Sequence, residues 1–145
     1  MEVVNLLHYE NRFGLRQWLE ENHNKEKYCW VVTYRSKCPP DWPAIPYIEV
    51  VEEALCFGWI DSILKRLPDG RLAQRLSPRR GKSHWTQLNM DRCVDLEDSG
   101  LMTKAGRRAF EKAFGYEIIP PDSEINQRIK EEAKLRRPRM YEQKG

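Results

Sequence analysis

Apolar residues along the chain follow two different periods, and each period predicts its own kind of secondary structure. Where they recur at i, i+3 and i+4, as at Leu15, Trp18 and Leu19, the pattern predicts an amphipathic helix. Where they form a short β-branched and aromatic run, as in 28–34, the pattern predicts a buried strand. Along the whole chain the predicted elements are an edge strand at 3–7, a helix at 11–23, a strand at 28–34, a helix at 47–57, a hairpin with strands at 59–67 and 71–77, and helices at 83–98 and 103–114.

Capping and turn residues mark the predicted boundaries. Asn11 and Ser83 each stand where an N-cap side chain begins a helix. Gly58 follows the helix at 47–57, as a C′ glycine does. The sequence Leu-Pro-Asp-Gly at 67–70 is typical of a type I turn with glycine in the left-handed position. Four prolines in 36–46 predict a loop between the first buried strand and the second helix.

These elements predict an α+β fold, with a small antiparallel sheet built around a central β-hairpin and packed by several helices. The 145 residues suffice for one core, so we assign 1–121 to a single domain. Residues 122–145 are poor in apolar side chains and are expected to form a polar helical extension that ends in a frayed tail. In the helix at 47–57, Glu52 and Glu53 are expected mostly on the face opposite the apolar side chains.

Composition excludes several classes of protein. No apolar run is long enough to span a bilayer, and the N-terminus lacks the pattern of a signal peptide, so we expect a cytoplasmic protein. The four cysteines contain no C-x-x-C pair, which predicts reduced thiols and argues against a zinc site. The sequence Gly-Lys-Ser at 81–83 is not a phosphate-binding P-loop, because position 76 holds leucine where the pattern needs glycine. We therefore expect neither a cofactor nor a metal.

Charge is concentrated in one segment of the chain. The formal net charge is only +3, from 25 basic and 22 acidic residues. Residues 65–82, however, hold seven basic residues and one acidic residue, a local charge of +6, so the rest of the chain carries −3. Such a run is either a solvated edge hairpin, whose cations prevent pairing with other strands, or a binding surface for an anion.

The expected hairpin register places two basic side chains next to Asp61, the one acidic residue in the two predicted strands. If Leu67 lies opposite Arg71, then Asp61 lies opposite Ser77. Arg75 and Arg79 are then diagonal to Asp61 on the same face, within reach of an ion pair. This register predicts a carboxylate held among arginines.

The segment after the hairpin, 77–85, runs directly into a predicted helix start. Free N–H groups and the helix dipole favour an anion there, and Gly81 allows close approach of the backbone. A phosphate, a carboxylate or a nucleic-acid backbone would fit this chemistry. The candidate ligand-binding residues are Trp59, Asp61, Arg75, Arg79, Arg80, Lys82, Ser83, His84, Trp85 and Asn89.

Two motifs carry a family resemblance. The segments 57–62 (FGWIDS) and 77–85 (SPRRGKSHW), with Asn89 and the segment 100–106 (GLMTKAG), resemble the YdeI/OmpD-associated proteins, also called bacteriocin-protection proteins. The resemblance covers roughly residues 13–114. It implies an association with envelope stress or tolerance of antimicrobial peptides, and it implies no reaction.

Three functional hypotheses remain open. In the first, the chain is a binding module for a small anionic ligand or an acidic protein segment. In the second, the basic hairpin lies along nucleic-acid phosphates while Trp85 or His84 stacks on bases. In the third, Asp61 and the arginines form a structural network without a ligand. The sequence contains no nucleophile elbow and no cysteine–histidine signature, so binding is expected rather than catalysis.

Overall fold

The computed structural model describes residues 2–80 and 85–114, which form a mixed sheet and four helices. The predicted extension at 122–145 lies outside these residues. The strands are β1 (Leu6–Leu7), β2 (Cys29–Tyr34), β3 (Ile45–Pro46), β4 (Trp59–Arg66) and β5 (Leu72–Pro78). The helices are α1 (Arg12–Asn22), α2 (Tyr47–Cys56), α3 (Gln87–Asp98) and α4 (Lys104–Phe114). The predicted α+β class is confirmed.

The sheet has the order β1-β2-β5-β4, with β3 also paired to β2. β5 is antiparallel to both β2 and β4. β1 and β3 are instead parallel to β2 and pair with successive parts of it, Leu6 opposite Trp30 and Ile45 opposite Thr33. The sheet is therefore mixed, and not purely antiparallel as the sequence predicted. The two-residue strand β3 arises within the proline-rich segment, where only a loop was expected.

Most predicted element boundaries are confirmed, because the side chains that set them act locally. The Asn11 side chain accepts a hydrogen bond from the Phe13 amide at 3.0 Å and begins α1. Gly58 has φ +73°, the left-handed conformation expected after α2. The start of α3 differs from the prediction. Thr86, and not Ser83, is its N-cap, and its hydroxyl accepts from the Asn89 amide at 3.1 Å.

The β4–β5 hairpin contains a bulge that the predicted register lacked. The turn is as expected, since the Leu67 amide donates to the Arg71 carbonyl oxygen and Gly70 has φ +93°. The predicted register holds near the turn, where Leu64 lies opposite Gln74. Between Asp61 and Leu64 the register shifts by one residue, so Asp61 lies opposite Leu76 instead of Ser77. A bulge of this kind moves the residues before it to the other face of the sheet.

Helix α2 lies at the centre of the molecule. It contacts the sheet through β2, β3 and β4, and it contacts each of the other three helices. Consequently every residue from Val50 to Cys56 is buried. Glu52 and Glu53, which were expected opposite the apolar side chains, are buried as well, because α1, α3 and α4 all pack against α2.

Helix α4 approaches the C-terminal end of α2 closely at Gly106. A Cβ atom at this position would collide with the Cys56 carbonyl oxygen, and it would lie 2.5 Å from the sulfur of Met102. The Thr103 hydroxyl donates a hydrogen bond to the same Cys56 carbonyl. The hydrogen bond of Thr103 therefore holds the start of α4 against the end of α2, and the lack of a side chain at Gly106 leaves room for this close contact.

Candidate functional site

Three basic side chains line one small cavity beside an indole ring. Arg79 and Arg80 follow β5, Trp85 precedes α3, and Lys112 lies in the last turn of α4. The cavity has a volume of about 40 Å³, which is of the size of one small ion or a water molecule. We call this set of four residues the basic pocket.

Backbone pairing and aromatic packing position the residues of the basic pocket. The Arg79 amide donates to the Gly58 carbonyl oxygen at 2.9 Å, which extends the hairpin by one residue beyond β5. The Arg79 guanidinium lies 3.9 Å from the centre of the Trp85 ring, a cation–π contact. Trp85 in turn packs edge-on against Phe110 and Phe114 of α4, with ring centres 5.8 and 5.3 Å apart. The hairpin end is thereby joined to α4.

All three charged side chains that line the basic pocket are positive. Burial lowers the pKa of Arg79 below its usual value, and the opposing effects of Cys93 and Asp61 do not restore it. No carboxylate occurs among the described residues that line the cavity. Three cationic side chains that line one cavity attract an anion to it. The arrangement therefore suits a small anion such as phosphate, sulfate or a carboxylate.

Asp61 lies on a different face of the sheet from the one predicted. Because of the bulge, Asp61 shares the core face with Leu76, and its carboxylate accepts a hydrogen bond from the Tyr47 hydroxyl at 2.8 Å. Arg75 lies on the opposite face with Trp30, where its guanidinium is 4.9 Å from the centre of the Tyr28 ring. The predicted ion pair between Asp61 and Arg75 is therefore wrong.

Other predicted site residues have separate positions. Trp59 is buried in the core, where its indole packs edge-on against Trp18 and donates to the His23 carbonyl oxygen at 3.3 Å. The Asn89 side chain accepts from Arg92 within α3. Lys82, Ser83 and His84 lie outside the described residues. Of the ten candidates, the structure brings together Arg79, Arg80 and Trp85.

Lys112 is the member of the basic pocket that the sequence analysis missed. It lies beyond the basic segment in the chain, and only the packing of α4 against Trp85 brings it to Arg79 and Arg80. The sequence feature that could have indicated Lys112 is the helical period of α4, which places it beside small apolar residues. Ala109 and Ala113, one helical turn apart on α4, both line this cavity beside Lys112.

A buried ionic network was also missed. Arg12 of α1 donates hydrogen bonds to Glu52 and Glu53 at 2.8 Å each, and Arg16 donates to Glu53 at 2.9 Å. Arg12, Glu52 and Glu53 are at most 3% exposed. Burial acts to lower the pKa of Arg12, but the two glutamates raise it above its usual value. Each charged group of this network has an oppositely charged partner within 2.9 Å, so the network joins α1 to α2.

Residues 2–80 and 85–114 give no sign of a metal site or of a membrane span. No three His, Cys, Asp or Glu side chains in these ranges are grouped so that they could hold a metal ion. None of the four described helices combines the length and apolar character that crossing a bilayer requires.

Comparison with known families identifies the chain. Residues 7–109 match the family described as Domain of unknown function (DUF8412). The chain belongs to this family. The match runs from Leu7 in β1 to Ala109 in α4, so the DUF8412 region contains Arg79, Arg80 and Trp85 but not Lys112. No curated protein and no solved structure matches the chain.

The DUF8412 match overturns the resemblance to the YdeI/OmpD-associated proteins, and no hit to that family accompanies it. The expected link to bacteriocin protection and stress tolerance loses its basis with it. The motifs that carried the resemblance are short, and at least one of their residues is set by local geometry. In 57–62, for example, Gly58 ends a helix at φ +73°, a position that demands glycine in unrelated proteins.

Proposed function

We propose that the protein is a binding module whose basic pocket holds a small anion, or the anionic group of a larger ligand. The observation that carries this proposal is the convergence of three cations from two distant segments. Arg79 and Arg80 follow the hairpin, Lys112 ends a helix more than 30 residues later, and the three line one cavity. Fixed like charges gain free energy from a shared counterion, so such a cavity favours an anion.

Two details support the choice of a compact, multiply charged anion. Guanidinium groups bind phosphate and carboxylate through several charge-assisted N–H donors. The cavity of about 40 Å³ accommodates one such group and not a large organic molecule. Phosphate is therefore the first probe, either free or as the terminal group of a ligand that extends into solvent.

Nucleic-acid binding along the hairpin has weaker support. Arg71 pairs with Asp69 at the turn, at 2.8 Å. Arg75 lies over Tyr28 on the face of the sheet opposite Asp61. The basic residues of the hairpin thus point in several directions, whereas binding along a phosphate backbone needs them on one surface.

The test is thermal unfolding in increasing phosphate, with sodium chloride at matched ionic strength as the reference. At a phosphate concentration about 100 times its dissociation constant, binding stabilises the folded state by about 2.7 kcal/mol. We expect Tm to rise with phosphate in the wild type. We expect the rise to be largely lost in Lys112→Gln, because this exposed side chain can be neutralised without disturbing the core.

The matched control is Arg108→Gln, which removes an exposed cation from the same helix outside the cavity. It should keep the wild-type response to phosphate. The proposal fails if no phosphate-specific rise in Tm occurs in the wild type. It also fails if Lys112→Gln and Arg108→Gln respond equally.

A further inference from the structure

A second cavity, of about 420 Å³, lies at the opposite end of the hairpin from the basic pocket. It is enclosed by the end of β2, by the proline-rich loop and by the tip of the β4–β5 hairpin. Its volume is in the range of sites that bind small molecules, roughly 300–1,000 Å³. We call it the hairpin cleft. The lining residues that matter here are Thr33, Arg35, Trp42, Leu64, Arg66 and Leu72.

The floor of the hairpin cleft is a row of residues across three strands. Thr33 lies opposite Leu72, and Leu72 lies opposite Arg66, so all three share one face of the sheet. This is the face that carries the core residues Cys29 and Leu76 nearer the other end of the strands. The Thr33 hydroxyl donates to the carbonyl oxygen of Ile45 at 2.7 Å and holds β3 in place. A floor on paired strands is rigid, which favours a preformed site.

One wall of the cleft is an aromatic ring that faces solvent in part. Trp42 is 37% exposed, unusual for the largest apolar side chain. Its ring lies against the hairpin turn, since a Cβ atom at Gly70 would be 3.9 Å from its Cη2 atom. An exposed indole beside a cavity offers a flat surface on which a planar ring can stack.

Two arginines give the cleft a positive charge. Arg66 donates to the Gly70 carbonyl oxygen at 2.8 Å, a bond that uses one of the five guanidinium N–H donors. The Arg35 guanidinium lies 4.0 Å from the centre of the Tyr47 ring, a contact that fixes its position. The described lining of the cleft includes no carboxylate. An anionic group would therefore be attracted to the cleft, which both arginines line.

We propose that the hairpin cleft binds a small ligand that combines a planar ring with one anionic group, in the chemical class of the nucleoside monophosphates. The ring stacks on Trp42, the phosphate accepts hydrogen bonds from Arg66 and Arg35, and the apolar side chains of Leu64 and Leu72 cover the rest of the floor. This site is separate from the basic pocket. It needs both an aromatic surface and a cation, whereas the basic pocket needs only a compact anion.

Isothermal titration calorimetry of the full chain tests the proposal with adenosine and uridine monophosphates, with adenosine, and with inorganic phosphate. We expect both monophosphates to bind more tightly than either adenosine or phosphate alone. Trp42→Ala should weaken their binding about tenfold, since stacking on an aromatic side chain contributes about 1–3 kcal/mol per base. Trp42→Phe, which keeps a ring, should restore most of the affinity. Arg66→Gln should weaken binding of the monophosphates and leave that of adenosine unchanged.

Two control variants show whether the monophosphates bind in the hairpin cleft or elsewhere on the protein. Phe13→Ala removes a comparably exposed aromatic ring on α1, 48% exposed, and should bind the monophosphates as the wild type does. Lys112→Gln should leave the Trp42-dependent part of the binding unchanged, because it removes only the anion binding at the basic pocket. The proposal is overturned if the monophosphates do not bind, or if Trp42→Ala and Phe13→Ala have equal affinity. Binding of a single-stranded oligonucleotide without binding of the monophosphates would also overturn it, in favour of a nucleic-acid surface.

Discussion

At the scale of single residues, the most consequential contacts are those of Arg12. This guanidinium is 3% exposed and bonds two glutamates that are themselves buried. A buried charge that loses its partner is costly because no water replaces the lost interaction. The contrast is with Arg107, which pairs with Glu97 at 3.0 Å but is 38% exposed. Geometry alone does not distinguish the two pairs, whereas burial does.

We predict that Arg12→Ala lowers the free energy of unfolding by about 3–5 kcal/mol, because two buried glutamates lose the guanidinium that they share and only Arg16 still pairs with Glu53. Arg107→Ala should cost at most about 1 kcal/mol, as exposed pairs do. Urea denaturation at neutral pH measures both values. Equal losses in the two variants would show that the buried network contributes no more than a surface pair.

At the scale of elements, two contacts at opposite ends of α2 determine how β4 and α4 pack against this helix. The bulge in β4 turns Asp61 towards α2, and the Gln74 side chain donates to the carbonyl of Ile63 within the bulge at 3.3 Å. At the other end of α2, Gly106 allows α4 to lie against the Cys56 carbonyl. In each case the contact depends on one residue type.

We predict that Gly106→Ala destabilises the fold by about 1–3 kcal/mol through overpacking. This loss would appear even though alanine favours a helix over glycine by about 1 kcal/mol. The matched control is Arg108→Ala, which shortens an exposed side chain of the same helix. Its cost should be clearly smaller in chemical denaturation. If Gly106→Ala is as stable as the wild type, α4 is free to move away from α2.

At the scale of the whole molecule, burial of three thiols links stability to alkaline pH. Burial raises the pKa of Cys29 and Cys93 to about 12 from the ordinary value of 9.0, and it raises that of Cys56 as well. The folded protein therefore keeps thiol protons that the unfolded chain releases above pH 9. Since the folded state binds more protons in this window, its stability falls as pH rises from about 9 towards 12.

We predict that the free energy of unfolding decreases between pH 9 and 11, with each buried thiol contributing up to about 1.4 kcal/mol per pH unit. Cys93→Ala should reduce the slope, although it also lowers stability at every pH. Cys38→Ser, which removes an exposed thiol, should keep the wild-type slope. Urea titrations across this pH range measure the effect. A stability that is constant from pH 8 to 11 would contradict it.

The features that could be predicted from the sequence are those that neighbouring residues determine, such as helix caps and tight turns. The cap at Asn11, the left-handed Gly58 and the hairpin turn at Gly70 depend on side chains within a few positions, and the structure confirms them. Partners elsewhere in the chain determine the bulge, the burial of Glu52 and the position of Lys112 beside Arg79. The charge pattern predicted an anion beside Arg79 and Arg80, but it did not show which other elements would complete the cavity.

The position of α2 has a consequence for how the molecule opens. If α1 lifted away by itself, Glu52 and Glu53 of α2 would lose the two arginines that pair with them, which raises the free energy of that state. Detachment of α1 therefore requires that α2 also become hydrated, and α2 touches the sheet and every other described helix. The peripheral helix and the central one form a single cooperative unit. Exposure of α1 to solvent entails exposure of α2, so local fraying of α1 is suppressed.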